Sequence, residues 1–146
     1  MTRRTLLALP FALPLLADSA RDVWDLLADA ASALSAGNAP AFLDAFDPKM
    51  PGYEELRTDA VGLLAEAPAQ TGREGISCSI ELVSDQGDDQ ARALELNWIL
   101  DIRQRQSAIG SVRRQQHVKV RVAKKGKKWR IVAFDPPGFF APPDSR

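Results

Sequence analysis

The chain has 146 residues, and its 19 Lys and Arg balance its 19 Asp and Glu. That length holds one domain of ordinary size, and 45% hydrophobic with 26% charged residues describes a soluble globular protein rather than a disordered tail. A single Cys and a single His exclude zinc fingers, disulfide frameworks and His-rich metal centres, so neither a metal nor another cofactor is expected. A pI near 6.6 gives no sign of a nucleic-acid binder.

The first residues read as an address. Arg3 and Arg4 precede an uncharged apolar run over residues 5–17. The run is shorter than the roughly 20 apolar residues a membrane-spanning helix needs, and Pro10 and Pro14 break its helical pattern. Ala17, Asp18 and Ser19 follow as a small-x-small cleavage signal, with cutting after Ser19. Residues 1–19 therefore read as a signal peptide, and Thr2-Arg3-Arg4 fits the twin-arginine export pattern. The expected location is periplasmic or extracellular, in a bacterium. Residues 20–146 then form a single domain with an irregular Pro-rich tail.

Three helices come next. Trp24, Leu27, Ala31 and Leu34 recur at helical spacing over residues 22–36, with Val23 and Ala30 beside them and Gly37 as a stop. Asn38 can cap a short second helix with Pro40 in its first turn, and Phe42 and Phe46 share its face. A third helix is predicted over residues 52–67, with Tyr53, Leu56, Ala60, Leu63 and Leu64 on its stripe and Pro68 as its end.

After a loop over residues 68–75 the period changes from 3.6 to 2. Ile76, Cys78, Ile80 and Leu82 alternate with polar residues. A turn is predicted over residues 85–89, then Leu94, Leu96, Trp98, Leu100 and Ile102 make the longest clean alternation. A second turn covers residues 107–111, Val118, Val120 and Val122 alternate in a third strand, and a tight turn at Gly126 leads to a last strand over residues 129–134. The tail from Asp135 holds four prolines and should lack regular structure apart from anchoring by Phe139 and Phe140. The plan is α+β: three N-terminal helices packed on one face of a bent antiparallel sheet of about four to five strands.

Four local features give this order a family likeness. Ser35-Ala36-Gly37-Asn38 joins the first helix to a short Phe-bearing one, and that helix ends in Phe46-Asp47. Trp98 sits in the centre of a long strand, and the final hairpin closes on Lys128-Trp129-Arg130-Ile131. Over residues 21–140 the chain resembles the NTF2-like superfamily, the cone fold shared by ketosteroid isomerase and SnoaL-type proteins. The resemblance implies a pocket in the cone and a homodimer formed through the sheet. It does not imply one activity.

The residues that could carry chemistry are few. His117 lies on the polar face of its strand and reads as an exposed side chain without an obvious orienting carboxylate. Cys78 shares the apolar parity of its strand and reads as an unreactive thiol. Asp101 faces away from the apolar run. It is the one catalytic candidate, a general base, against the reading of an ion pair with Arg103 or with an Arg of the neighbouring strand. In the isomerase branch an Asp base works with a Tyr and a protonated acid. The only Tyr here is Tyr53, outside the first helix, so that constellation does not transfer.

Arg114 and Gln116 share parity with Val118, Val120 and Val122, which points both toward the helix-covered face. A buried Arg needs a partner. Either it meets an acid from the helices, or it lines a pocket mouth, or a bulge near Gly110 turns both residues to solvent. Trp24, Tyr53 and Trp98 read either as core packing or as apolar walls of a pocket, and as walls they make, with Arg114 and Gln116, the expected ligand-binding set.

Charge is segregated along the chain. Residues 20–75 carry four basic and ten acidic side chains, whereas residues 103–130 carry eleven basic side chains and no acid. Lys124, Lys125, Lys127 and Lys128 concentrate this charge in one hairpin, where an anionic protein or membrane surface is an expected partner and nucleic acid is not. The function expected from these features is an exported, non-catalytic domain that binds a small apolar or amphipathic ligand in the cone, or a protein partner through the sheet. The alternative is a SnoaL-like or isomerase-type enzyme working through a pocket carboxylate.

Overall fold

A computed structural model describes the backbone of residues 2–67, 75–103 and 111–143, with side chains described from Asp18 onward. Three α-helices come first: α1 (Thr2–Ser35), α2 (Ala39–Asp44) and α3 (Tyr53–Glu66). Four strands follow, β1 (Ile76–Gly87), β2 (Ala91–Arg103), β3 (Ser111–Lys125) and β4 (Lys128–Asp135), and then a single 3₁₀ turn (Pro137–Phe140). The strands pair in the order β1-β2-β3-β4, all antiparallel.

Helix α1 starts at Thr2, well before the expected residue 22, and runs through Pro10 and Pro14. Its leucines and alanines are strong helix formers, and here they outweigh the two prolines. Among the described residues no helix is long and apolar enough to cross a membrane. Val23, Leu27, Ala30, Ala31 and Leu34 are buried on α1, while Trp24 sits at the margin of the stripe, half-buried. The end of α1 is a Schellman motif: Gly37 N–H reaches Leu34 O at 3.1 Å and Asn38 N–H reaches Ala33 O at 2.9 Å, with Gly37 at φ +76°. Asn38 then caps α2, its Oδ1 accepting from Ala41 N–H at 3.1 Å.

The β2–β3 register is unbroken from Arg103↔Ser111 to Ala91↔Ala123. It brings Leu94, Leu96, Trp98, Leu100 and Ile102 onto the same face as Val118, Val120 and Val122, all of them buried. Two irregularities break the simple alternation elsewhere. Leu82, expected inside, keeps regular register opposite Leu96 but is 48% exposed on the edge strand, and between Leu82 and Ser84 the register of β1 shifts, so that Asp85 takes the inward position opposite Leu94. Between Arg121 and Val122 the register with β4 shifts, so Ile131 and Phe134, three apart, both point inward. A parallel bridge, Phe46↔Ile131, fastens the end of α2 to β4.

Four strands form the sheet among the described residues, and a fifth is not seen. Helical structure is not confined to the N-terminal part either, because the tail forms the 3₁₀ turn that follows a cis peptide between Asp135 and Pro136. Phe139 and Phe140 are buried there as anchors, as expected. They complete an aromatic cluster in which Trp98 meets Phe134, Phe139 and Phe140 edge-on, with ring centroids 5.4–6.3 Å apart. The turns expected at residues 107–111 and the loop at 68–75 lie largely outside the described residues.

Candidate functional site

The tail is laid along α3 in the same direction as the helix. A Cβ on Gly52 would stand 3.3 Å from Pro137 Cβ, and one on Gly62 would stand 3.1 Å from Pro142 Cγ. Between these two close approaches, Glu55 Oε2 lies near Gly138. The tail therefore forms a strap over one end of the space between helices and sheet, with Phe139 and Phe140 pushed inward.

Beside this strap is an open groove of about 650 Å³, formed by the first half of β3 (Val112, Arg113, Arg114, Gln116) and the tail (Pro136, Gly138, Phe139, Pro143). Arg114 lies opposite Leu100 and Gln116 opposite Trp98, so strand parity carries both toward the helix-covered face with no register shift among the described residues, while the bulge expected near Gly110 falls outside them. Arg114 is half-buried, and its Nη1 donates to the carbonyl of Phe139. Gln116 is exposed in the groove. Arg114 lines this groove, and Asp59 of α3 lies within its electrostatic reach. Burial pushes the Asp59 carboxyl above the usual range, the Glu55 charge adds to this, and the Arg114 guanidinium opposes it.

The rest of the expected ligand-binding set is not gathered here. Trp98 is fully buried in the aromatic cluster, and its Nε1–H donates to Cys78 Sγ. It is a core residue, because its position at the centre of β2 places it under the strap, against Phe134, Phe139 and Phe140. Trp24 and Tyr53 pack half-buried against the core from α1 and α3. Asp101 sits on the outer face of the sheet, with Oδ2 3.8 Å from Arg113 Nη1, the neighbouring-strand ion pair. His117 does have a carboxylate beside it: Nε2 lies 2.7 Å from Glu95 Oε1, a diagonal neighbour on β2, and both side chains are exposed. Cys78 is half-buried.

Sequence reading missed three features. Arg92 shares the inward parity of Leu94 and forms a nearly enclosed pair with Asp85, Nε to Oδ1 2.8 Å. That parity was visible, but the shift in β1 that brings Asp85 inward was not. Glu55 and Asp59, one helical turn apart, count in the sequence only toward the acidic excess of residues 20–75. The depth of Phe139 and Phe140 was legible as anchoring but not as closure of the groove. Among the described residues no cluster of His, Cys, Asp and Glu is arranged to hold a metal ion. The groove offers recognition chemistry: guanidinium groups, an amide and apolar edges of Val112, Phe139 and proline rings.

No protein-family model matches the sequence, and no curated protein does. Solved structures do match. An NTF-2 like protein of unknown function from Shewanella oneidensis superposes with a TM-score of 0.60 at 11% identity, over 79% of this chain and 95% of that one. The chain has the NTF2-like fold. A candidate scytalone dehydratase from Novosphingobium aromaticivorans aligns with a TM-score of 0.61 at 11% identity, over 92% of this chain and 85% of that one. A protein from Catenulispora acidiphila in complex with S-DNPA aligns with a TM-score of 0.56 at 13% identity, over 81% and 91%. At these identities the NTF2-like likeness extends to the fold, and these neighbours carry different or unassigned activities.

Proposed function

We propose that this NTF2-like domain is exported and binds a small amphipathic anion, without converting it, in the groove beside the strap. The observation that carries the reading is the placement of Arg114 and Gln116 on the helix-covered face of β3, where that face opens into the groove. An anionic head beside the guanidinium groups and an apolar body along Val112 and Phe139 suit that lining. A ligand complex of the fold neighbour from Catenulispora acidiphila supports it.

Decanoate is a suitable probe, titrated by calorimetry into the full chain. One site is expected, and Gln116→Glu, which adds a like charge without touching the strap, should weaken it by about tenfold. Lys127→Gln, in the turn between β3 and β4 and outside the groove lining, should leave it unchanged. Equal affinity for wild type and Gln116→Glu refutes the site.

One observation favours the enzymatic reading, which the neighbour described as a candidate dehydratase also supports. Burial and the Glu55 charge push the pKa of Asp59 up against the opposing Arg114 guanidinium, and a carboxylate with a raised pKa is a stronger general base. Exchange of the α-protons of 2-decanone into heavy water, catalysed by the chain and lost in Asp59→Asn, would replace the binding reading with that one.

Export rests on the sequence of residues 1–19, a short basic start, an uncharged apolar run and a small-x-small cleavage signal. Protein recovered from a bacterial host should begin at Ala20. An intact leader on that protein counts against export by cleavage.

A further inference from the structure

A second concave site lies away from the strap, where the α2–α3 connection meets the β3–β4 hairpin. It is a cleft of about 320 Å³ lined by Asp47, Lys49, Lys125, Lys128 and Arg130. We infer that this cleft is a binding site for a compact multivalent anion of phosphate chemistry.

Its walls are fixed by the backbone. Ile131 N–H donates to Ala45 O and Asp47 N–H donates to Ile131 O, both at 2.8 Å, so the connection is fastened to β4 on either side of the Phe46↔Ile131 bridge. Lys49 is thereby held across from Lys128 and Arg130, whose strand is itself paired to Lys125. Four cations from two separate segments converge on one concavity, whereas a merely solvated hairpin would spread them apart.

The charge is not balanced from within. Asp47 is the one carboxylate in the lining, and its Oδ1 is already engaged by Lys49 N–H at 2.9 Å. Its Oδ2 stands 3.9 Å from Lys125 Nζ, and Asp44 Oδ2 stands 3.5 Å from Lys128 Nζ on the exposed side. The Lys125–Asp47 separation exceeds that of a charge-assisted hydrogen bond, and the Lys128–Asp44 contact is a long hydrogen bond between two exposed side chains, which holds a Lys only weakly. Both lysines therefore remain available to an incoming oxyanion, with the planar guanidinium of Arg130 as a bidentate partner. The small volume favours a free di- or triphosphate over a flat lipid surface.

The test uses the full chain and sodium pyrophosphate, with sodium chloride at matched ionic strength as the control. Pyrophosphate should raise the melting temperature beyond chloride and bind saturably. Lys49→Gln with Arg130→Gln should weaken binding by about tenfold or more, since two charge-assisted contacts are lost. Lys124→Gln with Lys127→Gln removes the same charge from the turn outside the cleft and should leave affinity within about twofold. Arg130→Lys keeps the charge and guards against a folding defect in the double variant. It should bind with intermediate affinity. No pyrophosphate effect beyond chloride, or equal losses in the two double variants, overturns the site. Binding to phosphatidylglycerol vesicles without pyrophosphate binding also overturns it, in favour of a flat membrane-docking face.

Discussion

Arg114 Nη1 donates to the main-chain carbonyl of Phe139. The side chain that reaches the open end of the sheet is thus the one that holds down the segment closing it. That contact couples the groove to the strap: whatever engages Arg114 competes with the Phe139 carbonyl. Arg114→Met keeps the stem and removes the donor. It should lower stability by about 1.5–3 kcal/mol, the range for a hydrogen bond to a charged group, and raise amide exchange at residues 139 and 141, whose N–H groups close the 3₁₀ turn. Urea denaturation and hydrogen exchange read the two effects. Stability loss without faster exchange in the tail would separate Arg114 from the strap.

Phe140 is fully buried against Phe42, Trp98, Phe134 and Phe139. Phe140→Ala should cost about 3–5 kcal/mol, a large share of the stability of a domain this size. Val83→Ala, at a side chain 52% exposed on the edge strand, should change stability by less than about 0.5 kcal/mol. Urea midpoints compare the two. A small loss for Phe140→Ala would mean that the strap is not part of the cooperative core.

The Arg92–Asp85 pair is nearly enclosed, with side chains 9% and 14% exposed, and Arg92 Nη1 also donates to Asp88 O at 3.2 Å. Removing one partner leaves a charge without compensation, so Arg92→Met should destabilise by about 3–5 kcal/mol. Replacing both, Arg92→Met with Asp85→Leu, should recover most of that loss, because two apolar side chains of similar volume need no partner. Chemical denaturation of the two single variants and the double variant forms the cycle, and additive losses would show that the two residues are not coupled.

The pattern of what was legible follows from these residues. Helix ends governed by local chemistry were readable: Gly37 and Asn38 are a stop and a cap wherever they occur in that order. So was strand parity, which placed Arg114 and Gln116 on the covered face. A one-residue register shift leaves no trace when both neighbours are apolar, and Leu82-Val83 is such a pair. Everything beyond that shift, including the inward turn of Asp85, was therefore hidden. The Glu95–His117 and Phe46–Ile131 contacts join segments far apart in sequence and depend on register or docking. The Pro-rich tail read as irregular because proline removes donors, yet a 3₁₀ turn with Pro137 at its start needs few of them.

Gly52 precedes α3 with φ +79°, and a Cβ there would meet Pro137 at 3.3 Å. Gly52→Ala combines left-handed strain with crowding against the strap. A loss of about 1–2 kcal/mol is expected from the strain alone, together with faster exchange in the tail. A melting temperature equal to wild type would show that α3 can start differently.

Two carboxyls give opposite responses to pH. Asp88 accepts from Gln90 N–H and Ala91 N–H, both at 2.9 Å, and these bonds hold its ionisation below the usual range. Its contribution is therefore complete above the ordinary carboxylate range and is lost as pH falls through the lowered value. Asp59 is raised, first by burial and then by Glu55. The folded state binds its proton more tightly than the unfolded chain does, so stability falls as pH rises from the ordinary range through the raised value. Asp88→Asn should flatten the acid limb of the stability profile. Asp59→Asn should remove the decline on the higher side and leave the acid limb in place. Urea denaturation across pH about 2 to 7 separates them, and a profile for Asp59→Asn that still falls through that upper window would place the raised carboxyl elsewhere.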